Sequence, residues 1–325
     1  LRIIGFSMLV SSEEEIPLSY EVYEGNKPDA MQFAVVVEKL RKRYARAFGR
    51  DADITLVFDR GNNSQNNLDL LAGSELPFHF VGGLRQSQCS EVLAVPKAQY
   101  KALDGAEFGK ASAYRTQITV YGREMTVVAT HNPELLQGQL QGILINREKC
   151  RRELLSLQER LSRWEAGELR RGKAPTKESC AKNVDDILKG QDMKSLFVIE
   201  WHETGRFPQF SFQISEQALS ELQEVSLGKT ILFTDRPDWS NEQIVHAYRS
   251  AWHIEQVFRQ MKNPNHLSVR PMWHWTDSTI RVHIFCCVLA FRLCSLLRRE
   301  LKAKGIELSI NQMLEALSEK QQLIH

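Results

Sequence analysis

Two stretches of the chain hold residues whose types and spacing could do chemistry. In "TLVFDRGNNS", Thr55 to Ser64, an apolar run ends on Asp59 and breaks into glycine and asparagine. The plain reading is a turn, because Asp, Gly and Asn tolerate unusual backbone angles. In "WSNEQIVHAYRSAWHIEQVFRQMK", Tyr248, Glu255 and Lys262 are spaced seven and seven. Seven residues are close to two turns of a continuous helix, so the three would point the same way. Ala251 and Arg259, four residues either side of Glu255, lie near that face. A row of Tyr, Glu, Arg and Lys suits a metal ion and a phosphate backbone. The competing reading is a solvated stripe in which Glu255 pairs with Arg259 at i,i+4, worth a few tenths of a kcal/mol. The flanking Trp252, Ile254, Val257 and Phe258 point to a helix packed on two sides.

A carboxylate at a strand end and another on a helix packed over the sheet can share divalent metals. Two-metal phosphoryl transfer uses hard oxygen ligands, with the metals about 4 Å apart clamping attacking and leaving oxygens. Basic neighbours would then hold a nucleic-acid backbone.

"LVFDRGNNS", followed nearly two hundred residues later by "YRSAWHIEQVFRQMK", resembles the DDE transposases of bacterial insertion sequences, in the group with a Y-x2-R-x3-E-x6-K motif. "GNKPD", "TDRPDWSNEQIV" and "RPMWHWTDSTIRVHIFCCVLAF" extend the resemblance in the same order. It implies an α/β fold: a ribonuclease H-like mixed sheet flanked by helices, interrupted by a mostly β insertion with one long helix. It implies cleavage and strand transfer at insertion-sequence ends with two Mg²⁺ (or Mn²⁺) ions. The implied partners are double-stranded DNA at the terminal inverted repeats, target DNA, and a second copy in a synaptic complex. The implied location is the bacterial cytoplasm, at the nucleoid and away from membranes.

By position, Asp59 matches the family's second catalytic Asp and Glu255 its catalytic Glu, both metal ligands. Tyr248 and Lys262 match the motif's Tyr and Lys, beside the active site and the DNA strand. The chain departs from the motif at Ala251, where the family has Arg. Arg249 stands two residues earlier, about 160° away around a helix, and Arg259 is the candidate to supply the phosphate contact instead. The resemblance places the first catalytic Asp on a strand before Leu1, so the chain is expected to begin inside a larger protein. Asp29, Asp51 and Asp53 are no substitutes. Two other readings keep the same residues: a truncated DNA-binding remnant that does not cut, and a nuclease without strand transfer.

The chain has 325 residues, 42 basic and 40 acidic, for a net charge of +2. It is not a polycation, so a nucleic-acid surface must be a local patch. Six cysteines form no C-x-x-C pair, which argues against a zinc cluster and for small buried side chains. "IFCCVLAFRLCSLL" is too short to cross a bilayer and carries Arg292, so it reads as a core helix. "DRGNNSQNNLD" is not a calcium loop, because Gly61 occupies a position that needs an oxygen.

The elements that must position Asp59 and Glu255 follow from periodicity. A hairpin ("RIIGFSMLVS", "PLSYEVYEG") precedes a helix whose Arg41, Lys42 and Arg43 are expected on its exposed side. The strand "DITLVFD", a polar helix from Ser64 to Ala72 and the strand "PFHFVGG" complete a first block, residues 1–95. Residues 96–229 read as an inserted block. It holds a hairpin turned at Gly122, a helix from Asn132 to Trp164, a polar loop over 165–183, and paired strands in "SLFVIEWHETGRFPQFSFQIS". Basic clusters at Lys149–Arg152 and Arg170–Lys173 read as solvated faces. The third block, 230–325, has the strand "KTILFTD", one helix from Ser240 to Lys262 with a capping Gln243, and a last helix from Ser278 to Lys304. Trp273, His274 and Trp275 are expected to pack at the start of that helix, and His253 to be structural or to face DNA.

Overall fold

A computed structural model describes residues 4–12, 14–26, 29–48, 53–72, 78–169, 171–202, 205–263, 269 and 273–322. Asp51, Arg170, the Lys-Pro of "GNKPD" and the Arg-Pro-Met of "RPMWHW" lie outside them. The chain divides into two compact units, one made of Leu1–Leu84, Arg115–Val128 and Leu232–His325, the other of Arg85–Tyr114 and Ala129–Ile231.

In chain order the elements begin with β1 (Ile4–Val10), β2 (Pro17–Glu24), α1 (Asp29–Phe48), β3 (Thr55–Phe58), α2 (Gln65–Ala72) and β4 (His79–Leu84). Then come α3 (Ser90–Leu93), β5 (Lys101–Ala102), β6 (Ser112–Val120), β7 (Arg123–His131), α4 (Pro133–Glu165), α5 (Lys177–Ile187) and α6 (Met193–Leu196). They are followed by β8 (Phe197–His202), β9 (Gln209–Ile214), α7 (Glu216–Val225) and β10 (Lys229–Thr234). The chain closes with α8 (Asn241–Ser250), α9 (Trp252–Met261), α10 (Asp277–Ala303) and α11 (Ile310–Gln322). The main sheet is mixed, in the order β3-β4-β10-β7-β6-β5, and the fold is the ribonuclease H-like α/β class.

In the first unit β3 and β4 run parallel, Thr55 opposite His79 and Phe58 opposite Gly82. Both are apolar, as strands covered on two faces must be. Rings stitch the sheet to its helix: Phe33 meets Phe58 at 5.0 Å, Phe58 meets Phe80 at 5.7 Å, and Phe80 meets Phe233 at 5.0 Å. Gly82 makes this possible, since a Cβ there would lie 2.6 Å from the Phe233 ring.

The β1–β2 hairpin does not join this sheet; it forms a two-stranded sheet of its own, with Phe6 opposite Val22. Its apolar face is covered by α9, α10 and α11 through Val257, Met261, Ile284, Phe291 and Ile310. The reading of α10 as a core helix is right for one side only: Val282, Phe285, Cys286, Leu289, Leu293 and Leu297 on its outer side are exposed. Trp273 and Trp275, expected to pack, are exposed too. By length and composition α10 is the one helix among the described residues able to cross a membrane, yet Arg292 donates to the Pro17 carbonyl and Arg298 to the Glu14 carbonyl, holding its inner side on a polar turn. The hairpin turn holds Glu14 and Glu15 at φ 57° and 55°, a conformation that costs non-glycine residues energy. Polar contacts hold it: Glu14 pairs with Lys302 at 2.8 Å and Arg298 at 3.4 Å, and Glu15 pairs with Arg298 at 3.4 Å and shares a hydrogen bond with His253 Nδ1 at 2.8 Å. The hydrogen bond from Lys302 keeps the Glu14 carboxyl below its usual value, against the opposing effect of burial. A depressed carboxyl stabilises the fold above its unfolded pKa, and that contribution is lost as pH falls through the folded pKa. Acidification from about pH 6 to about pH 3 should therefore destabilise the wild type more than Lys302→Gln, read as the shift in urea midpoint. Equal shifts would show that the pair contributes nothing.

Arg41 is not on the exposed side of α1. It donates to the Leu70 carbonyl at 2.7 Å and lies over the Phe78 ring at 5.4 Å, with its side chain only 12% exposed. Position 41 continues the stripe of Phe33, Val37 and Leu40, so its stem packs inward while the guanidinium finds polar partners. Lys42 is exposed as expected.

The second unit is built on α4, 33 residues capped by Asn132, whose side chain accepts from the Glu134 amide. Leu154, Leu157 and Leu161 pack against α5, α6 and the β8–β9 hairpin. The polar stretch expected as loop over 165–183 is helical from Lys177. Thr176 and Ser179 form a reciprocal capping box, and Cys180 and Val184 bury one face. That spacing was legible but short. Lys229 is buried here, donating to the Leu93 carbonyl at 2.7 Å, and burial pulls its ammonium below the usual value.

Candidate active site

Asp59 follows β3 directly, so it emerges beside Gly83 at the C-terminal edge of the parallel pair β3–β4. In open α/β sheets that edge is where ligands bind. Asp59 is exposed, and its Oδ1 accepts the Arg60 amide at 2.7 Å, which starts a single turn of 3₁₀ helix. The asparagines behind it hold the loop: Asn63 donates to the Gly83 carbonyl at 2.6 Å, and Asn67 to the Asn62 carbonyl at 2.8 Å. The turn reading of "DRGNNS" was therefore right about its shape and silent about its exposed acid.

Tyr248, near the end of α8, reaches this edge from above β3 and β4. A Cβ on Gly83 would lie 2.4 Å from the Tyr248 hydroxyl and 3.2 Å from Arg60 Cγ. Burial pushes the Tyr248 phenol above its usual value; a hydrogen bond from Arg60 opposes the rise and the charge of Asp59 adds to it. Asp59, Arg60, Gly83 and Tyr248 thus converge. Arg60 and Gly83 were missed in the sequence. The Gly-Gly closing β4 was the available signal, since a backbone that must admit a ring cannot carry a Cβ.

Gly83→Ala should cost about 1–3 kcal/mol by overpacking. Tyr248→Phe in the same chain should recover part of the loss by removing the hydroxyl nearest the new methyl. Additive losses in that double-mutant cycle, read by thermal melting, would place the Tyr248 ring elsewhere.

The single helix expected from Ser240 to Lys262 is two, α8 and α9, joined at Ala251. Ser250 Oγ donates to the Ala247 carbonyl at 2.6 Å, while the Ala251 amide turns to Tyr248 O at 3.1 Å and Ile254 N to Ala251 O at 3.2 Å. A serine bonding back to its own helix bends it, and these i→i+3 bonds tighten the turn. The seven-residue spacing therefore does not by itself align Tyr248 with Glu255.

Glu255 is exposed in the first turn of α9, where the helix dipole favours an acid. It has no hydrogen bond or ion pair among the described residues, and neither has Arg259. The i,i+4 pair of the solvated-stripe reading is not formed. Val257 and Met261 are buried beneath, Phe258 packs edge-on against Phe6 at 5.6 Å, and His253 is tied to Glu15. His253 is thus structural. Lys262 ends α9 with its ammonium 5.7 Å from the Phe258 ring. Arg249 lies half-buried in the last turn of α8.

Asp53 bonds Arg236, which holds its carboxyl below the usual value. It is committed to the opposite end of β3. Among the described residues no three His, Cys, Asp or Glu side chains cluster as a ready metal site. The candidate donors are hard oxygens: the exposed carboxylate of Glu255, that of Asp59, whose Oδ1 also accepts the Arg60 amide, and Asn63 Oδ1, buried and unpaired in the Asp59 loop. Oxygens of this kind suit Mg²⁺ or Mn²⁺ and not zinc.

Comparison with curated proteins finds no match, and comparison with solved structures finds none either. The model of one family, described as the transposase DDE domain, matches residues 6–288, which takes in both Asp59 and Glu255. The chain belongs to the DDE transposase family, whose members carry out DNA transposition.

Proposed function

We propose that this is the catalytic portion of an insertion-sequence transposase, cutting DNA at the element's terminal repeats and joining the freed 3′ end to target DNA. The observation that carries the reading is an exposed acid at the edge of the parallel strands, holding only its own loop's Arg60 amide, with Tyr248 and Arg60 converging on it. The second acid, Glu255, follows on the next helix without the partner that a structural role would give it.

Asp59 and Glu255 would hold the divalent ion, Mg²⁺ or Mn²⁺, as a pair of sites. Bound there, it would polarise the phosphodiester and favour the deprotonated form of the attacking oxygen. The chain's own groups do the rest. Arg60, Arg249, Arg259 and Lys262 attract and orient the phosphate backbone, so affinity should fall steeply with salt. Tyr248, kept protonated by burial, can donate to a phosphate oxygen beside Asp59. Arg259, one turn beyond Glu255, takes the phosphate contact that Ala251 cannot make. The protein would act as a homodimer on two ends at once, in the bacterial cytoplasm at the nucleoid.

The test is a cleavage and joining reaction with the full-length protein, a DNA carrying its element's ends, and Mg²⁺. Products with free 3′ hydroxyls, then joined molecules, are expected, and chelation should stop both. Undiminished cutting in chelator would sink the reading; cutting without joining of a pre-cleaved end would reduce it to a nuclease.

A further inference from the structure

Packing of the second unit leaves one buried charge unexplained. Lys229 opens β10 with only 4% of its surface exposed, and its ammonium donates to the Leu93 carbonyl at 2.7 Å. An ammonium has three donors, and burying it is costly unless an anion or several acceptors complete it. Leu93 ends α3, but a single turn of helix has too small a dipole to stand in for an anion. The Tyr100 ring, 5.7 Å from the ammonium, adds only the attraction of its face.

Three further polar groups gather around it. The Asn132 amide donates to the Gly228 carbonyl at 2.8 Å and Thr130 Oγ1 to the Thr230 carbonyl at 3.3 Å, a register that sets His131 across the ladder from Lys229. The His131 ring lies over Gly228, where a Cβ would approach it to 3.3 Å. Tyr100 is only 9% exposed, and its hydroxyl, like Nε2 of His131, is buried without a hydrogen bond. Lys97, three residues before Tyr100, is exposed, with its ammonium 3.4 Å from the Gln223 carbonyl. Burial first, and then the charge of Lys97, holds both Lys229 and His131 below their usual values; Lys229 adds to the fall at His131. Among the described residues the charges acting on this pair are all cationic.

We propose that Lys229, Lys97, His131 and Tyr100 form a binding site for a phosphate-class oxyanion, free phosphate or a phosphodiester of DNA, built wholly from residues of the second unit. Lys97 and Lys229 supply charge, while the Tyr100 hydroxyl and an Nε2–H of His131 supply neutral donors. A tetrahedral oxyanion has acceptors enough for all four. A metal cation would be repelled by the two ammoniums, and an apolar guest would leave the buried donors unmet.

The test is the melting temperature of the 325-residue chain in chelator, with sodium phosphate replacing sodium chloride at fixed pH and ionic strength. It uses neither metal nor cleavage, so its outcome is independent of the proposed reaction. With a dissociation constant of about 1 mM, phosphate at about 20 mM should raise the melting temperature by about 3 °C. Phosphate also stabilises proteins by exclusion from their surface, so the shift is read against Lys229→Met, which should keep only that part. In chloride the Lys229→Met chain should melt no lower than the wild type, because an uncompensated buried charge is gone. Lys97→Ala, at an exposed position, should leave the melting temperature in chloride unchanged and weaken phosphate about ten-fold. Duplex DNA of unrelated sequence separates the two sources of the anion. Several-fold weaker duplex binding by Lys97→Ala, with phosphate competing, assigns the site to the DNA backbone; unchanged duplex binding assigns it to the free ion. A wild type that gains no more from phosphate than Lys229→Met does, or a Lys97→Ala chain with the full wild-type response, would overturn the proposal.

Discussion

Full-length protein carrying Glu255→Gln should bind its DNA ends like the wild type and cut them at least about a thousand-fold more slowly, a loss of about 4 kcal/mol in the transition state. Gln has the same shape and no charge, so on the proposed function what would disappear is a hard anionic ligand and the electrostatic stabilisation it would organise. The fold should not notice. Glu255 is exposed and has no hydrogen bond or ion pair among the described residues, so stability should stay within about 0.5 kcal/mol. The contrast is Glu15, which is bound to His253 and Arg298; Glu15→Gln should lower stability first and activity only as a consequence. Gel-shift, single-turnover cleavage and melting together separate the two. Normal cleavage by the Glu255 variant would remove the assignment, whatever happened to the others.

Phe233→Ala should destabilise the protein by about 3–5 kcal/mol, the usual range for deleting a buried ring. Phe233 is fully buried at the meeting of β4 and β10. Its ring packs edge-on against Phe80, approaches Tyr121 at 6.4 Å and occupies the space that Gly82 leaves open. The neighbours cannot collapse into the void, because Phe80 is held by Phe58 and the backbone beside it is laddered. Denaturant unfolding should show an earlier midpoint with unchanged slope. Because β4 also ends at the candidate site, partial activity at low temperature that vanishes on warming is the expected accompaniment. A loss below about 1 kcal/mol would mean that this part of the core repacks freely.

The position of the candidate acid Asp59 at a strand end was legible in residue order. An apolar run ending on Asp59 is a buried strand handing an acid to a loop, because only a strand end lets a carboxylate leave an apolar layer. Asn132 before Pro133, and Ser240 with Gln243, announced helix starts, because capping is chemistry between neighbours a few residues apart. The order of strands and helices, and with it the α/β class, rests on the same local periodicities.

Tertiary structure decided what depends on partners far along the chain. Whether β1–β2 joins the main sheet is a choice of ladder edge, which periodicity does not encode. Arg41 turns inward because the Leu70 carbonyl and the Phe78 ring lie there. The helix through Ala251 breaks because Ser250 takes the carbonyl its neighbour's amide would have used, a competition settled by side-chain rotamer. Glu255 and Arg259 fail to pair though their spacing allows it, so the acid stays uncommitted. The outer face of α10 is apolar like its inner one. Sequence determines that both sides can be buried; packing determines that α9, α11 and the hairpin cover only one.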